Sequence, residues 1–229
     1  MTFWEHLEEA RWSIVRMLAA WAICLVPSFL FLPWIFDHLI LLPARSAGYD
    51  LINIQVASQF TTHLSMSVYL SLLLAAPYML YEVWKFVRPA LYPAEKKGMQ
   101  KGFLLGGFLF YLGCAVGCLV VFPLTFRFLV GYELSPSITN SINLSSYTSL
   151  FNAVTFLFGL SFELPILLWI LSLGGLVHKD CLRSHRRHAI VALLILAAII
   201  TPTGDPVTLS VVFFPLYLLY EFSIWLVKK

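Results

Sequence analysis

Apolar runs of transmembrane or near-transmembrane length occur six times in this 229-residue chain. About 20 apolar residues in a helix cross the hydrocarbon core of a bilayer, and backbone inside lipid must bond to itself. The chain is 60% hydrophobic and 12% charged, whereas a soluble domain carries roughly 25% charged residues. An all-α membrane protein is therefore predicted. Its six predicted spans are Met17–Phe36, Leu64–Val87, Gly102–Phe126, Leu150–Leu173, Ala189–Ile200 and Val207–Val227.

The basic residues predict the orientation of these spans. Of the 15 Lys and Arg residues, all except Arg45 and Arg127 lie before the first span, around the second and fourth linkers, or at the C-terminus. Cytoplasmic loops are enriched in Lys and Arg. We therefore expect six spans with both termini in the cytoplasm, in a single transmembrane domain over residues 1–229. No extended basic groove is present, so nucleic-acid binding is not expected.

The last two spans are short in apolar length. Ala189–Ile200 has 12 residues, about 18 Å, and the last span has 14 residues before Glu221, about 21 Å. Both fall below the roughly 30 Å of the hydrocarbon core. Either the bilayer thins there or a concavity forms, or flanking side chains snorkel and the helices span normally.

The third span carries two G-x-x-x-G pairs, Gly102/Gly106 and Gly113/Gly117. Such pairs allow close helix approach in membranes, so they predict tight packing rather than a function.

Motifs of catalysis and metal binding are absent from the sequence. It has no H-E-x-x-H, no G-x-S-x-G and no nucleotide-binding glycine pattern. Its four cysteines do not have the spacing of a zinc site or a disulfide framework. Neither enzymatic activity nor a metal site is expected.

One carboxylate, Glu163, lies near the middle of the fourth span. No basic residue stands three or four positions away, and no other span has one at a similar depth. A charge there costs about 2.5–3.5 kcal/mol or more. Two interpretations stay open: a neutral acid that hydrogen-bonds, or a carboxylate in a wet cavity. An ion-coupled secondary transporter would use Glu163 as its ion or proton site, but transporters often contain inverted repeats, and none is visible here.

Two further acids, Glu9 and Glu95, have no cation at helical spacing. Arginine forks bind carboxylates bidentately, so this pair fits a receptor for an arginine-bearing peptide. Ordinary solvated acids are the alternative. Glu82, by contrast, has Lys85 three residues later, and we expect a salt pair between them.

Five ordered motifs resemble the TatC family, the multi-spanning component of the twin-arginine protein translocase, and the resemblance covers essentially the whole chain. They are HLEEAR at 6–11, APYMLYEVWKFVRPALYPAEKK at 76–97, FGLSFELP at 158–165, TPTGDP at 201–206 and FPLYLLYE at 214–221.

The resemblance implies a concave, glove-like bundle of six helices with short last two helices, in the bacterial inner membrane. It implies a receptor for the twin-arginine signal peptides of folded cargo proteins, powered by the proton-motive force. The partners implied are small single-span Tat subunits, similar to TatA and TatB, and further copies of the chain. No hydrolytic activity and no cofactor are implied.

The resemblance also assigns residues. Glu9, Glu95, Phe86 and Arg11 match positions at the signal-peptide site.

Glu163 matches the family's intramembrane glutamate, expected to contact a partner helix, and Pro43 and Asp205 match residues of the outer-face loops. The chain departs from the family in Ala10, where Leu is usual, and in Glu82, where Gln is common.

Overall fold

The computed structural model describes residues 3–87, 96–132, 135, 141–173, 175, 177–201 and 205–227, with the backbone alone for Phe3, Glu5, Val87 and residues 96–101. In these ranges the regular secondary structure is helical apart from two very short strands, with turns and loops between the elements. The elements are α1 (Phe3–Ile35), the π-helix π1 (Phe36–Ile40), α2 (Leu42–Ser46), β1 (Leu51–Ile52), α3 (Ser58–Val87), α4 (Lys96–Val116), π2 (Gly117–Val121), α5 (Phe122–Gly131), β2 (Ile142–Asn143), α6 (Leu144–Ser161), α7 (Leu164–Leu173), α8 (Lys179–Ser184), α9 (Arg186–Ile200) and α10 (Pro206–Leu226).

Five helical segments in the described ranges are long and apolar enough to cross a membrane, which confirms the all-α membrane fold. They are His6–Ser46, Ser58–Phe86, Gly102–Gly131, Leu144–Ser172 and Pro206–Leu226. The remaining predicted span, Ala189–Ile200, corresponds to α9, whose 15 residues extend about 22 Å. The six-span count and the orientation of the termini stay predictions.

The last helix differs from the expectation of a short helix. α10 has 21 residues, or about 31 Å, because it continues through Glu221 to Leu226. The apolar run ends at Glu221, but Glu is a good helix former and the helix continues; the carboxylate accepts hydrogen bonds from Arg186 and Tyr217. Of the last two helices, only α9 is short.

The two strands were not predicted. β1 and β2 pair in parallel, with Leu51 opposite Ile142 and Ile52 opposite Asn143. This contact ties the segment after α2 to the start of α6, where the Asn143 side chain caps the helix by accepting from the Ser145 N–H.

A proline divides the fourth predicted span into two helices. Pro165 has no N–H to donate, and its ring would clash with the carbonyl of Ser161 in a continuous helix. Residues Phe162 and Glu163 form a turn between α6 and α7, and the Glu163 N–H bonds the Leu160 carbonyl at 3.1 Å. The kink therefore places Glu163 where the helix changes direction.

An aromatic core joins α5, α6 and π1. Phe122 contacts Tyr147 edge to face at 5.1 Å and Phe151 at 5.0 Å. The buried Tyr147 hydroxyl donates to the Ile40 carbonyl at 2.5 Å. This bond satisfies a carbonyl of the irregular π turn, which would otherwise be costly in an apolar interior.

The glycine pairs of the third span pack against α6 and α7, as predicted. A Cβ at Gly113 would lie 2.7 Å from the Phe158 carbonyl oxygen, and one at Gly117 would lie 3.0 Å from the Phe158 Cβ. The backbones approach too closely for any larger side chain at Gly113.

Candidate functional site

One face of α1 carries four polar residues that point to α3. His6, Glu9, Ser13 and Arg16 follow a spacing of three, four and three residues, which keeps them on one side of a helix. Contacts from this face to α3 define a feature that we call the α1–α3 cleft.

The inner part of the cleft is an ion pair across the two helices. The Arg16 guanidinium donates to the Glu82 Oε2 from Nε at 2.9 Å and approaches it from Nη2 at 2.8 Å. Arg16 also donates to the Ser13 hydroxyl at 3.0 Å, and the Tyr78 hydroxyl donates to the Glu82 Oε1 at 3.0 Å. Glu82 is only 2% exposed, and both its oxygens have partners. This acid is already occupied.

The expected pairing of Glu82 with Lys85 is therefore wrong. The cation that Glu82 binds is Arg16, 66 positions earlier in the chain. Spacing along one helix cannot reveal a partner on a neighbouring helix, although the i+7 relation of Glu9 to Arg16 could have drawn attention to that face of α1.

The outer part of the cleft contains an aromatic stack and an unpaired acid. The rings of His6 and Phe86 stack at 4.4 Å with an interplanar angle of 17°. Glu9 is half-buried, and its Oε2 is inaccessible to solvent and has no hydrogen-bond partner among the residues that the structure describes. Arg16 is within electrostatic influence of Glu9, but its direct bonds go to Glu82 and Ser13. The Glu9 carboxylate thus has unused hydrogen-bonding capacity, but its Oε2 is enclosed, so an incoming group that bonds both oxygens must open that side of the cleft.

The structure brings together only part of the predicted signal-peptide site. Glu9 and Phe86 both lie in the cleft. Arg11 is exposed on another face of α1, with its guanidinium 5.4 Å from the centre of the Trp12 ring. Glu95 lies outside the described residues.

Glu163 lies between α4 and α7, against a glycine. A Cβ on Gly106 would be 2.9 Å from the Glu163 Oε2, so the missing side chain leaves the room that the carboxyl group occupies. The Glu163 Oε1 is buried, and no described residue forms a hydrogen bond with it. Among the described residues no basic side chain forms an ion pair with it, in agreement with the sequence analysis. We call this place the α4–α7 crevice.

The two predicted loop residues have local structural roles. Pro43 lies in the first turn of α2, where a missing N–H costs nothing. Asp205 is the N-cap of α10 and accepts from the Thr208 N–H at 2.8 Å. Neither residue lies in the α1–α3 cleft or the α4–α7 crevice.

A second ion pair fastens the last two helices together. Arg186, at the start of α9, bonds the Glu221 Oε2 near the end of α10 at 2.8 Å. The Tyr220 hydroxyl donates to the Leu182 carbonyl of α8 at 2.9 Å. Among the described residues, no group of three or more His, Cys, Asp and Glu side chains could hold a metal ion.

Comparisons with a family profile and with individual relatives identify the same protein family. Residues 5–215 match the profile of the family described as Sec-independent protein translocase protein (TatC). Proteins of that name from Carboxydothermus hydrogenoformans and Deinococcus radiodurans are 34% and 33% identical to the chain. The alignments cover 100% of this chain and 93% of the first relative, and 96% and 83% for the second.

Two crystal structures described as the twin-arginine translocase receptor TatC have a similar fold. One superposes with a TM-score of 0.85 and covers 96% of this chain and 97% of its own. The other, in DDM, gives a TM-score of 0.88 with coverages of 98% and 100%. Both are 30% identical to this chain.

Proposed function

The chain belongs to the TatC family of Sec-independent protein translocase proteins, and on that basis we propose that its α1–α3 cleft binds the arginines of twin-arginine signal peptides. The protein is a multi-pass component of the bacterial inner membrane and a non-enzymatic subunit of a translocase complex. The observation that carries the proposal is the Glu9 Oε2, which has no hydrogen-bond partner in the described part of the chain, in a cleft whose other carboxylate, Glu82, is already bound to Arg16.

Glu9 has the chemistry that an arginine needs. A carboxylate accepts two parallel N–H bonds from a guanidinium, at about 2.7–2.9 Å each. The stacked His6 and Phe86 rings offer flat faces beside it, and guanidinium groups stack on such faces more readily than ammonium groups do. The cleft therefore favours arginine over lysine.

Glu95 and Arg11 complete the proposed site. Glu95 would take the second arginine of the signal, since Glu82 has no free oxygen. Arg11, exposed beside Trp12, would donate to carbonyl groups of the peptide at the rim of the cleft.

Glu163 is proposed to serve association with partner subunits. Its Oε1 has no hydrogen bond within the described chain, and a polar side chain on the helix of a small single-span subunit, similar to TatA or TatB, would provide one. Several copies of the chain and of these subunits would then assemble, and the proton-motive force would drive transport of the folded cargo.

Six spans with cytoplasmic termini are part of the proposal. This arrangement puts the start of α1, and with it the cleft, at the face where signal peptides arrive. Pro43 and Asp205 then shape loops on the opposite face. Membership of a protein translocase family argues against the ion-coupled transporter considered above.

Site-specific photo-crosslinking of a twin-arginine signal peptide in membranes tests the receptor site. Glu9→Ala, Glu95→Ala and the double variant should each lower the crosslink at least about tenfold, as expected for losing a hydrogen bond to a charged group. Glu8→Ala is the matched control, because Glu8 is an exposed acid on another face of α1.

A signal peptide with Lys-Lys in place of Arg-Arg should crosslink as weakly as the Glu9 variant. If the crosslink is insensitive to Glu9 and Glu95, or if Glu8→Ala lowers it equally, the α1–α3 cleft is not the arginine site.

A further inference from the structure

A second candidate site lies at the end of the α1–α3 pair that is opposite the α1–α3 cleft. It is a cavity of about 640 Å³, within the range of about 300–1,000 Å³ that is typical of ligand pockets. Residues of α1, π1, α2, β1, α3 and α6 line it, and we call it the α2–α3 cavity. Its polar lining includes Asp37, Arg45, Asp50, Asn53, Gln59 and His63.

The cavity lies at a surface of the bilayer. Asp37 follows Arg16 of the cleft by 21 positions, or about 31 Å along the helix, and no charged residue lies between them in the sequence. This length matches the roughly 30 Å of the hydrocarbon core. Because Arg16 and Asp37 stand at the two ends of an uncharged span, the cavity is level with the lipid headgroups on the side opposite the cleft.

The lining changes from polar to apolar with depth. Gln59 lies in the first turn of α3, and Met66 follows it by seven positions, about 10 Å deeper. Leu32 of α1 lies deeper than Asp37 in the same way. Leu32 and Met66 also line a second, largely apolar cavity of about 280 Å³ between α1, α3, α4 and α6. A ligand of the α2–α3 cavity is therefore expected to have a polar end and an apolar end.

His63 is held in place by a proline on the neighbouring helix. Pro33 lies inside α1 and has no N–H, so the Phe29 carbonyl lacks its usual helical donor. The His63 Nε2 lies 2.9 Å from that carbonyl oxygen, and its ring stacks on the Phe29 ring at 4.1 Å. Because a carbonyl only accepts, the Nε2 is the donor, and in the neutral ring the Nδ1 is then an acceptor.

Of the charged side chains that line the cavity, two are acids, Asp37 and Asp50, and one is a base, Arg45. Arg45 approaches the Asp37 carboxylate only to 3.7 Å, and both side chains are more than half exposed, so this pair contributes little to stability. Arg45 donates one hydrogen bond, to the Asp37 carbonyl at 3.2 Å, of the five that a guanidinium can give. Asp50 forms no ion pair with any residue that the structure describes. A guanidinium and a carboxylate are thus both available to a ligand.

These charges select the chemistry of the ligand. An anionic headgroup would meet two carboxylates and one guanidinium, whereas a simple cation would leave Arg45 unused. A zwitterion with a phosphate and an ammonium group matches both charges. Water solvates the polar lining but is unfavourable against the apolar lining, which an acyl chain would cover.

We propose that the α2–α3 cavity binds one molecule of phosphatidylethanolamine from the bilayer. Its phosphate accepts hydrogen bonds from the Arg45 guanidinium, and its ammonium group donates to the Asp50 carboxylate and to the His63 Nδ1. Its acyl chains lie against Leu32 and Met66, beside the second cavity. The site is separate from the α1–α3 cleft and from the contact proposed for Glu163.

Native mass spectrometry of the purified full chain tests the proposal. Protein stripped of lipid in a non-ionic detergent is titrated with phosphatidylethanolamine, phosphatidylcholine or phosphatidylglycerol that carry the same acyl chains. Phosphatidylcholine is also a zwitterion, but its headgroup has no N–H to donate. We expect one phosphatidylethanolamine per chain, bound at least about tenfold more tightly than either other lipid, because only its ammonium group bonds the Asp50 carboxylate. Glycerophosphoethanolamine, which lacks acyl chains, should not compete at equal concentration.

Variants of the two charged residues locate the site. Asp50→Asn and Arg45→Gln should each weaken phosphatidylethanolamine binding about tenfold. Asp50→Lys leaves two bases and one acid in the cavity and should turn the preference to phosphatidylglycerol. Both positions are exposed, so the melting temperature without lipid should not change. Arg127→Gln and Asp180→Asn are the matched controls, because both residues are exposed and neither lines the cavity.

Four results would each overturn the proposal. Equal binding of the three lipids would mean that the cavity holds only water and that lipids cover the protein without selection. A preference that survives Asp50→Asn and Arg45→Gln, or that falls equally in Arg127→Gln and Asp180→Asn, would place the lipid elsewhere. Competition by glycerophosphoethanolamine as strong as that of the lipid would mean that no acyl chain is bound.

Discussion

The α1–α3 cleft and the α4–α7 crevice each hold a carboxylate oxygen to which no described residue donates a hydrogen bond, but their surroundings are opposite. Glu9 has a guanidinium, a second carboxylate and two stacked rings near it on the same pair of helices. Glu163 has a glycine backbone and apolar side chains, on a helix broken by Pro165.

The difference separates two kinds of recognition. In the cleft, Arg16 neutralises Glu82 and leaves Glu9 as the acid that can receive a further cation. In the crevice, no described cation compensates Glu163. A neutral carboxyl group needs a hydrogen bond rather than a counter-ion, and the space left by Gly106 decides where this group lies. We expect charge to control binding at the α1–α3 cleft. We expect shape and hydrogen bonding to control binding at the α4–α7 crevice.

The largest effect is expected from breaking the ion pair of the cleft on one side. Arg16→Met leaves the buried Glu82 carboxylate without its cation, which is more costly than removing both charges. The double variant Arg16→Met/Glu82→Gln should therefore recover much of the folded protein that the single variant loses. Fluorescence-detected size-exclusion chromatography after heating measures this. A double variant no better than the single one would show that the ion pair does not organise the cleft.

A smaller loss of stability is expected from filling the glycine contact between α4 and α6. Gly113→Ala puts a methyl group 2.7 Å from the Phe158 carbonyl oxygen, where backbone must move, and overpacking of this kind costs about 1–3 kcal/mol. Gly107→Ala is the control, because its Cβ would lie an ordinary 3.8 Å from the Leu80 Cδ1. Equal melting temperatures for the two variants would contradict the packing described here.

The smallest effect on stability, but a specific one, is expected at Gly106. The methyl group of Gly106→Ala would lie 2.9 Å from the Glu163 Oε2, and the flexible end of that side chain can move away. Stability should change little, while crosslinking of α7 to a single-span subunit should fall. The same substitution in a Glu163→Ala background should have no further effect. Additive losses would mean that Gly106 does not position Glu163.

The sequence alone predicts many of the structural features that distinguish these two sites. The apolar runs predict the helices, the G-x-x-x-G spacing predicts the tight α4 contacts, and the depth of Glu163 identifies an unusual acid. Those features depend on neighbours along the chain. These features can therefore be predicted without knowing which helices contact each other.

What the sequence did not predict depends on contacts between distant segments. The sequence indicates only a role in span orientation for Arg16, since its bond to Glu82 needs α1 and α3 to lie side by side. The sequence analysis also did not predict the kink at Phe162–Glu163, although a proline such as Pro165 commonly kinks or breaks a helix. Asn152 and Thr155 stand three residues apart, which places them on one helix face, but only the packed structure shows a cavity in front of that face.

The most direct test of the account is a double-mutant cycle on signal-peptide binding. Affinity would be measured for a synthetic signal peptide with arginine or with citrulline, its neutral analogue, against wild-type protein, Glu9→Gln and Glu82→Gln. The account predicts a coupling of about 1.5–3 kcal/mol between Glu9 and an arginine, and none between Glu82 and either arginine. Coupling to Glu82 instead of Glu9 would show that the incoming peptide displaces Arg16, and would contradict the assignment of Glu9 as the receptor acid.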